Sequence, residues 1–454
     1  MQSRTYSASD FDPYGDRQRP ENPELWPAPV ADGPLDAVVA LPGSKSLTNR
    51  ELVLSALADG PSTLTAPLHS QDSDRMVEAL AALGTRIERV PSAHPFGADL
   101  RISPADELLG STTIDCGQAG TVMRFTPPLA ALALGPTTFD ADPSAVGRPM
   151  HAMIEALRAL GVDLADEGRG SLPFTVHGTG SVEGGEITID ASASSQFVSG
   201  LLLSAPRFER GLVLHHSGQR LPSLPHIEMT IATLAARGVT VETPAPGTWS
   251  VAPQPIRGRD VAIEPDLSNA APFLAAAVAT GGRVTITGWP ESTTQVGADL
   301  ATLLLKFGAS VTRDGDRLTV TGGPSISGVE LDLSTGGELA PALVALAALA
   351  DSPSEITGIG HIRHHETDRL AALAAEVNGL GGSVTELPDG LRIEPRPLHG
   401  GVWRSHKDHR MSTAGALIGL VTPGVEVHDI GATAKTLPEF PELWHGMLEK
   451  AYTP

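Results

Sequence analysis

The sequence predicts an α/β protein built from six internal repeats, and three observations carry that expectation. A unit of helix, glycine turn and two strands recurs as MVEALAALGTRIERV, MIEALRALGVDLAD, MTIATLAARGVTVET, LATLLLKFGASVTRD and LAALAAEVNGLGGSVTE. A second, more apolar helix alternates with it in six copies: KSLTNRELVLSALADG, QAGTVMRFTPPLAALALG, SSQFVSGLLLSAP, LSNAAPFLAAAVATGG, GELAPALVALAALADSP and HRMSTAGALIGLVTPG. The sixth unit then lacks its last strands, because the chain ends soon after FPELWHGMLEK.

Within the first helix type, Gly84, Gly161, Gly238, Gly308 and Gly381 are spaced by 77, 77, 70 and 73 residues. Each follows an apolar helical stripe and can take the positive φ that ends a helix. An apolar residue three positions on (Ile87, Leu164, Val241, Val311, Val384) opens the next strand. The second helix type is apolar beyond its first turn, so it belongs in the core. Its first turns are polar instead, and helix starts present unpaired N–H groups and a positive dipole end that suit anions. An N-terminal strand near Ala37–Ala40 is expected to complete the sixth unit, so that the terminal half closes on itself around an inserted middle half. Six unrelated βα pieces in one large sheet would not explain why both helices recur together.

The chain has 454 residues, 32 Lys+Arg and 53 Asp+Glu, a net charge of −21. A hydrophobic fraction of 41% excludes wholesale disorder. No apolar run reaches the roughly 18 residues of a spanning helix. The charge makes nucleic acid and anionic membranes poor partners, so an anionic ligand would need locally gathered cations. One cysteine, Cys116, excludes a disulfide framework or a multi-thiolate zinc site, and the context reads cytoplasmic. Residues 1–34 hold six prolines and no apolar signal segment, and read as a flexible tail.

Six constellations carry chemistry. In LPGSKSLTNR, Pro42 and Gly43 break a strand, Ser44 or Ser46 can cap the helix, and Lys45 and Arg50 bring cations to its start. In CGQAGTVMR, Gly117 and Gly120 allow close backbone approach by a ligand, with Arg124 one turn in and Cys116 a small buried thiol. In DASASSQF, Ser194, Ser195 and Gln196 offer three hydrogen-bonding side chains at a helix start. In HIRHHETDRL, Glu366 and Arg369 share a helical face, and Asp368 suits a salt-bridged helix start. His364 and His365 are adjacent and diverge, which argues against a metal pair. In KDHRM and AKTLPEF, Arg410 and Lys435 are cations at helix starts. Arg148, His226, Glu366 and Lys435 all lie between a strand and the next helix, and equivalent ends of repeated units converge in space.

With these motifs the chain resembles the 5-enolpyruvylshikimate-3-phosphate synthase (3-phosphoshikimate 1-carboxyvinyltransferase) family in its actinobacterial form, over residues from about 36 to 450. The resemblance implies an inverse α/β prism of two domains, each of three βαβαββ units. One domain would take residues 44–264, the other 25–43 with 265–454, after a tail over 1–24. The implied reaction is transfer of the enolpyruvyl group of phosphoenolpyruvate to the 5-hydroxyl of shikimate 3-phosphate. Phosphate is released, without metal or organic cofactor, on the shikimate pathway to chorismate and aromatic amino acids. A cytoplasmic monomer sensitive to glyphosate is implied. By the same resemblance Lys45, Ser46, Arg50, Ser194, Ser195, Gln196, Ser223, Glu338 and His365 hold shikimate 3-phosphate. Lys45, Gly120, Arg148, Gln196, Arg369, Arg410 and Lys435 surround phosphoenolpyruvate. Glu338 accepts the hydroxyl proton, while Glu366 and Lys45 handle protonation of the methylene carbon. The chain departs from many relatives in having Glu338 for aspartate, His365 for lysine and His226 for tyrosine.

Rival readings fit less well. The enolpyruvyl transferase acting on UDP-N-acetylglucosamine needs a reactive cysteine in the loop that here reads DPSAVGRPM, which has none. An RNA 3′-phosphate cyclase fits the charge poorly. A non-enzymatic repeat scaffold would need no convergent basic cleft.

Overall fold

The structure, a computed structural model, describes residues 25–449. Five of six small sheets repeat one plan, a parallel strand pair extended by two antiparallel strands, and the sixth has the parallel pair with a single antiparallel strand. The plan is plainest in the second unit. Strand Thr112–Asp115 leads through the buried helix Gly120–Ala131 to its parallel partner Leu134–Asp140. Helix His151–Ala159 then feeds the hairpin of Asp163–Ala165 and Phe174–Thr179. This is the βαβαββ order. All five aligned glycines have positive φ, between 84° and 99°, where an L side chain would be strained. Four of the five strand-opening residues lie inside strands; Val241 instead precedes Glu242–Ala245 by one residue.

The alternating helices Lys45–Leu57, Gly120–Ala131, Gln196–Ser204, Ala270–Thr280, Ala340–Ala348 and His409–Gly419 form the core. Gly120–Ala131 tolerates Pro127 and Pro128 because it is packed on all sides. Pro128 has no N–H for the Arg124 carbonyl, and Gly200 of the neighbouring core helix packs against that carbonyl so closely that a Cβ would collide with it.

Apolar residues segregate into two cores. One draws on positions 26–41 and 267–447, the other on 52–263. The chain crosses between them twice, side by side. Ser44 N donates to Glu264 O at 2.7 Å and Asp266 N to Pro42 O at 2.9 Å, with Gly43 bridged to Pro265. The closure has two strands where one was expected. Asp36–Val39 pairs in parallel with Arg283–Ile286 and begins the fourth unit. The sixth unit is completed earlier in the chain, by Leu25–Pro27 antiparallel to Val425–His428. Residues 25–34 are therefore not tail: Trp26 and Ala28 are buried, and Ala28 N donates to Val425 O at 3.0 Å. The expected tail over 1–24 lies outside the described residues. No helix among the described residues is long and apolar enough to cross a membrane.

Candidate active site

Because the six units repeat, their buried helices start on the same side, and those starts meet in one cleft between the two cores. Lys45, Gly120, Gln196, Ser268, Glu338 and Arg410, one from each unit, line it. The intervening segments add Asp72, Arg148, His226, Gln295, Glu366 and Lys435. The cavity holds about 120 Å³. Six helix starts and several cations facing one space give a locally positive site in a chain of charge −21.

Its floor is a network of cations and carboxylates. Lys435 Nζ lies 2.6 and 2.7 Å from the two oxygens of Asp72, which also takes Lys45 Nζ at 3.1 Å. Lys435 further donates to Gln118 O at 3.1 Å and stands 3.5 Å from Glu366. Arg369 donates to Glu366 at 3.0 Å and, through Nε and Nη2, to both oxygens of fully buried Asp408 at 2.7 and 3.1 Å. Asp408 also caps the helix starting at His409, accepting from Arg410 N at 2.8 Å. Removal from water would raise the Glu366 carboxyl, but Arg369, Lys435, His409 and Arg148 hold it well below the usual carboxylate range. Glu366, Asp408 and His409 offer atoms within 4.8 Å of one another. Asp408 spends both oxygens on Arg369, so the cluster is an ion-pair network.

Glu338 sits in a short 3-10 turn ahead of Ala340–Ala348. Its Oε2 meets His226 Nε2 at 2.8 Å, and Ser268 Oγ donates to its Oε1. Arg410 Nη1 holds Ser268 O at 3.1 Å. Burial pushes the Glu338 carboxyl up, but His226, Arg410 and Ser268 outweigh it and hold the group well below its ordinary value, so it is a carboxylate at neutral pH.

The opposite wall carries unmet donors. Arg124 Nη1 donates to Gln196 Oε1 at 2.8 Å, leaving its buried Nε without a protein partner. Burial, then Arg148, lowers its pKa to about 10, which still leaves it charged. Arg148 donates from Nη1 to Gln118 O at 2.9 Å, while its buried Nε and Nη2 have no partner. Buried donors without acceptors are costly. Here they point to an anion. His365 is pushed well below the ordinary histidine range by burial and then by Arg369. A neutral ring accepting at Nδ1 fits the 3.0 Å contact with Arg369 Nη1, and leaves Nε2–H as a donor.

All the residues given to the substrates by resemblance line this cleft except Arg50, Ser195 and Ser223. Arg50 is 1% exposed, and its guanidinium already meets Thr230 Oγ1, Ser46 O, Ser199 Oγ and His226 O. Burial lowers its pKa to about 9. Ser195 is buried at the start of its helix, its carbonyl taken by Ser199 N at 3.1 Å. Ser223 adopts a left-handed conformation, and its N–H donates to Ser334 O across the two halves at 3.3 Å. Two further expectations need correction. Lys435 ends the 3-10 helix Ile430–Lys435 instead of starting Phe440–Leu448. Glu366 precedes the helix Arg369–Gly379, and meets Arg369 across a turn instead of along a helical face. Asp368 caps that helix and pairs with Arg363. Cys116 is buried, and its thiol is pushed up by burial and by Asp115 and Asp140, so it is no nucleophile.

Asp72, Ser268, Asp408 and His409 were not among the expected site residues. Asp72 looks like any acid in a first helical turn. Only the fold brings it to Lys435, 363 residues away.

Comparison with known proteins places nearly the whole chain in one family. The family described as EPSP synthase (3-phosphoshikimate 1-carboxyvinyltransferase) matches residues 30–444. A 3-phosphoshikimate 1-carboxyvinyltransferase of Kocuria rhizophila is 57% identical over 426 residues, 93% of this chain and 96% of that one. One of Mycobacterium ulcerans is 51% identical over 432 residues, 94% and 98% of the two chains. Two structures of EPSP synthase from Acinetobacter baumannii share the fold with TM-scores of 0.75 and 0.74 at 23% identity, each over 92% of this chain and over 96% and 97% of theirs. Motifs, repeat architecture and these matches agree that the chain belongs to the EPSP synthase family.

Proposed function

We infer that the cleft is the active site in which this enzyme transfers the enolpyruvyl group of phosphoenolpyruvate to the 5-hydroxyl of shikimate 3-phosphate, releasing phosphate. The observation that carries the assignment is the pair Arg124–Arg148. Both residues line the cleft together with Lys45, Arg369, Arg410 and Lys435, and their buried guanidinium N–H groups at Arg124 Nε and Arg148 Nε and Nη2 have no protein acceptor. Phosphoenolpyruvate, with one phosphate and one carboxylate, supplies acceptors of the required charge. Gly120, Arg148, Gln196, Arg369, Arg410 and Lys435 would surround it. Ser46, Ser194, Glu338 and His365 would hold shikimate 3-phosphate, with Lys45 and Gln196 shared between the substrates. Arg50, Ser195 and Ser223 would have to give up protein contacts to take part.

The chemistry needs a base for the hydroxyl and a group that delivers and later removes a proton at the methylene carbon. Glu338, ionised and hydrogen-bonded by His226 and Ser268, suits the first task. Glu366 between Arg369 and Lys435, with Lys45 nearby, suits the second. We place the domain boundaries at the paired crossings, giving 44–264 and 25–43 with 265 onward, and expect a cytoplasmic monomer.

Shikimate 3-phosphate should bind first and join the halves. At a hundredfold excess over its Kd, linkage would stabilise the protein by about 2.7 kcal/mol. Calorimetric melting with and without the ligand checks this, and an unchanged transition at saturating ligand would count against the site.

Glyphosate should compete with phosphoenolpyruvate in the same pocket. A Cβ on Gly120 would lie 2.7 Å from Arg124 Nη1 and 3.5 Å from Gln196 Oε1. Gly120→Ala therefore forces the Arg124 head, which holds Gln196, to shift. The longer inhibitor should lose about 1–3 kcal/mol, more than phosphoenolpyruvate loses. Equal losses of both, measured as inhibition constant against KM, would show that Gly120 does not border the enolpyruvyl pocket.

A further inference from the structure

We propose that His226 is a positioning residue for the base, reaching from one half of the molecule to fix the Glu338 carboxylate of the other half toward the attacking hydroxyl. The proposal rests on the assignment of Glu338 above and adds a residue to it. Glu338 is held at both oxygens, but from different places. Ser268, on Oε1, belongs to Glu338's own core; His226, on Oε2 at 2.8 Å, belongs to the helix Leu224–Ala236 of the other. Each carboxylate oxygen keeps a second lone pair, so the two donors fix its plane while leaving room for a hydroxyl. The carboxylate is thus fully oriented only when the halves meet.

The start of that helix is built to deliver the ring. Ser223 N donates to Ser334 O across the same gap at 3.3 Å. Arg50 Nη2 holds the His226 carbonyl at 2.9 Å, while its Nη1 holds Ser46 O at 2.8 Å, one turn behind the cleft. Arg50 thereby links the helix bearing His226 to the helix bearing Lys45. This gives the buried guanidinium a part that does not require ligand contact. At His226 itself, the side chain is 13% exposed, so its bond to the 20%-exposed Glu338 is largely shielded from water.

The charged and titratable groups that face Glu338 are His226, Arg410, Arg50, His361 and Arg369. Of these, His226 makes the direct hydrogen bond and is its largest favourable influence. Without it the carboxyl pKa must rise. Because the base acts ionised, the acid limb of the kcat/KM profile must then move to higher pH.

The test compares wild type with His226→Ala and His226→Gln, using phosphate release at saturating shikimate 3-phosphate, pH profiles and calorimetric binding of shikimate 3-phosphate. Gln keeps a donor near the Nε2 position. We expect His226→Ala to lose about 10²-fold in kcat, the scale of a misaligned catalytic group. Its acid limb should move to higher pH, with binding of shikimate 3-phosphate changed only a few-fold. His226→Gln should recover most of kcat. A wild-type acid limb and kcat in His226→Ala would overturn the proposal while leaving the active-site assignment standing. Equal damage in both variants with no movement of the limb would show a merely structural contact. A wild type without two-substrate activity would overturn the proposal together with the assignment on which it rests.

Discussion

Glu338→Gln is expected to bind shikimate 3-phosphate within a few-fold of wild type and to turn over about 10²–10⁴-fold more slowly, the usual cost of losing a general base. Glutamine keeps the shape of the side chain, and its carbonyl can still accept from Ser268. Its amide can face His226 once that ring presents an acceptor nitrogen. What it cannot do is take a proton from the 5-hydroxyl. The effect should therefore fall on kcat, with little change in calorimetric affinity. Turnover within tenfold of wild type would remove Glu338 from the chemistry.

Lys45→Met should be more damaging still, by about 10³-fold or more in kcat/KM for both substrates. Lys45 is the first residue of its helix, and its ammonium faces the cleft beside Asp72 at 3.1 Å. A positioned cation or donor at a site of developing charge is worth roughly 10²–10³-fold. On the proposed assignment Lys45 would meet both anionic substrates, and it shares Asp72 with Lys435. Methionine preserves the straight aliphatic chain and helix propensity, so folding should survive. Asp72 would then be paired with Lys435 alone, and the cleft would lose the positive charge that attracts an incoming anion. Steady-state kinetics with each substrate varied, together with a melting curve, separates a lost cation from a lost fold. A loss confined to one substrate would show that Lys45 is not shared.

Much of this was legible because the protein repeats. Five glycines at nearly constant spacing announced five positive-φ helix ends, and all five have that conformation. Polar first turns on otherwise apolar helices announced where those helices would point. The repeat led to the expectation that Arg148, His226, Glu366 and Lys435 face one cleft, and all four line it, whereas Glu338 was reached only through the family resemblance. Failures came where a role depends on distant partners. Asp72 is an ordinary helix-start acid until Lys435 is folded onto it. Asp408, though within a recognised motif, is defined by burial under Arg369. For Arg50, a cation near a helix start expected to hold shikimate 3-phosphate, the sequence did not show the protein partners it already has. One turn further into the helix, however, its head is enclosed by Thr230, Ser199 and the His226 carbonyl. The strand Leu25–Pro27 was hidden in proline-rich sequence. It is an edge strand of a three-stranded sheet, where proline is tolerated.

The central claim is that one cleft carries out a two-substrate group transfer, and phosphate release with mass detection of the product tests it most directly. Phosphate should appear only when shikimate 3-phosphate and phosphoenolpyruvate are both present. It should match, mole for mole, a product heavier than shikimate 3-phosphate by one enolpyruvyl group, and both signals should collapse in Glu338→Gln. Phosphate released from phosphoenolpyruvate alone, or released without the enolpyruvyl product, would contradict the account.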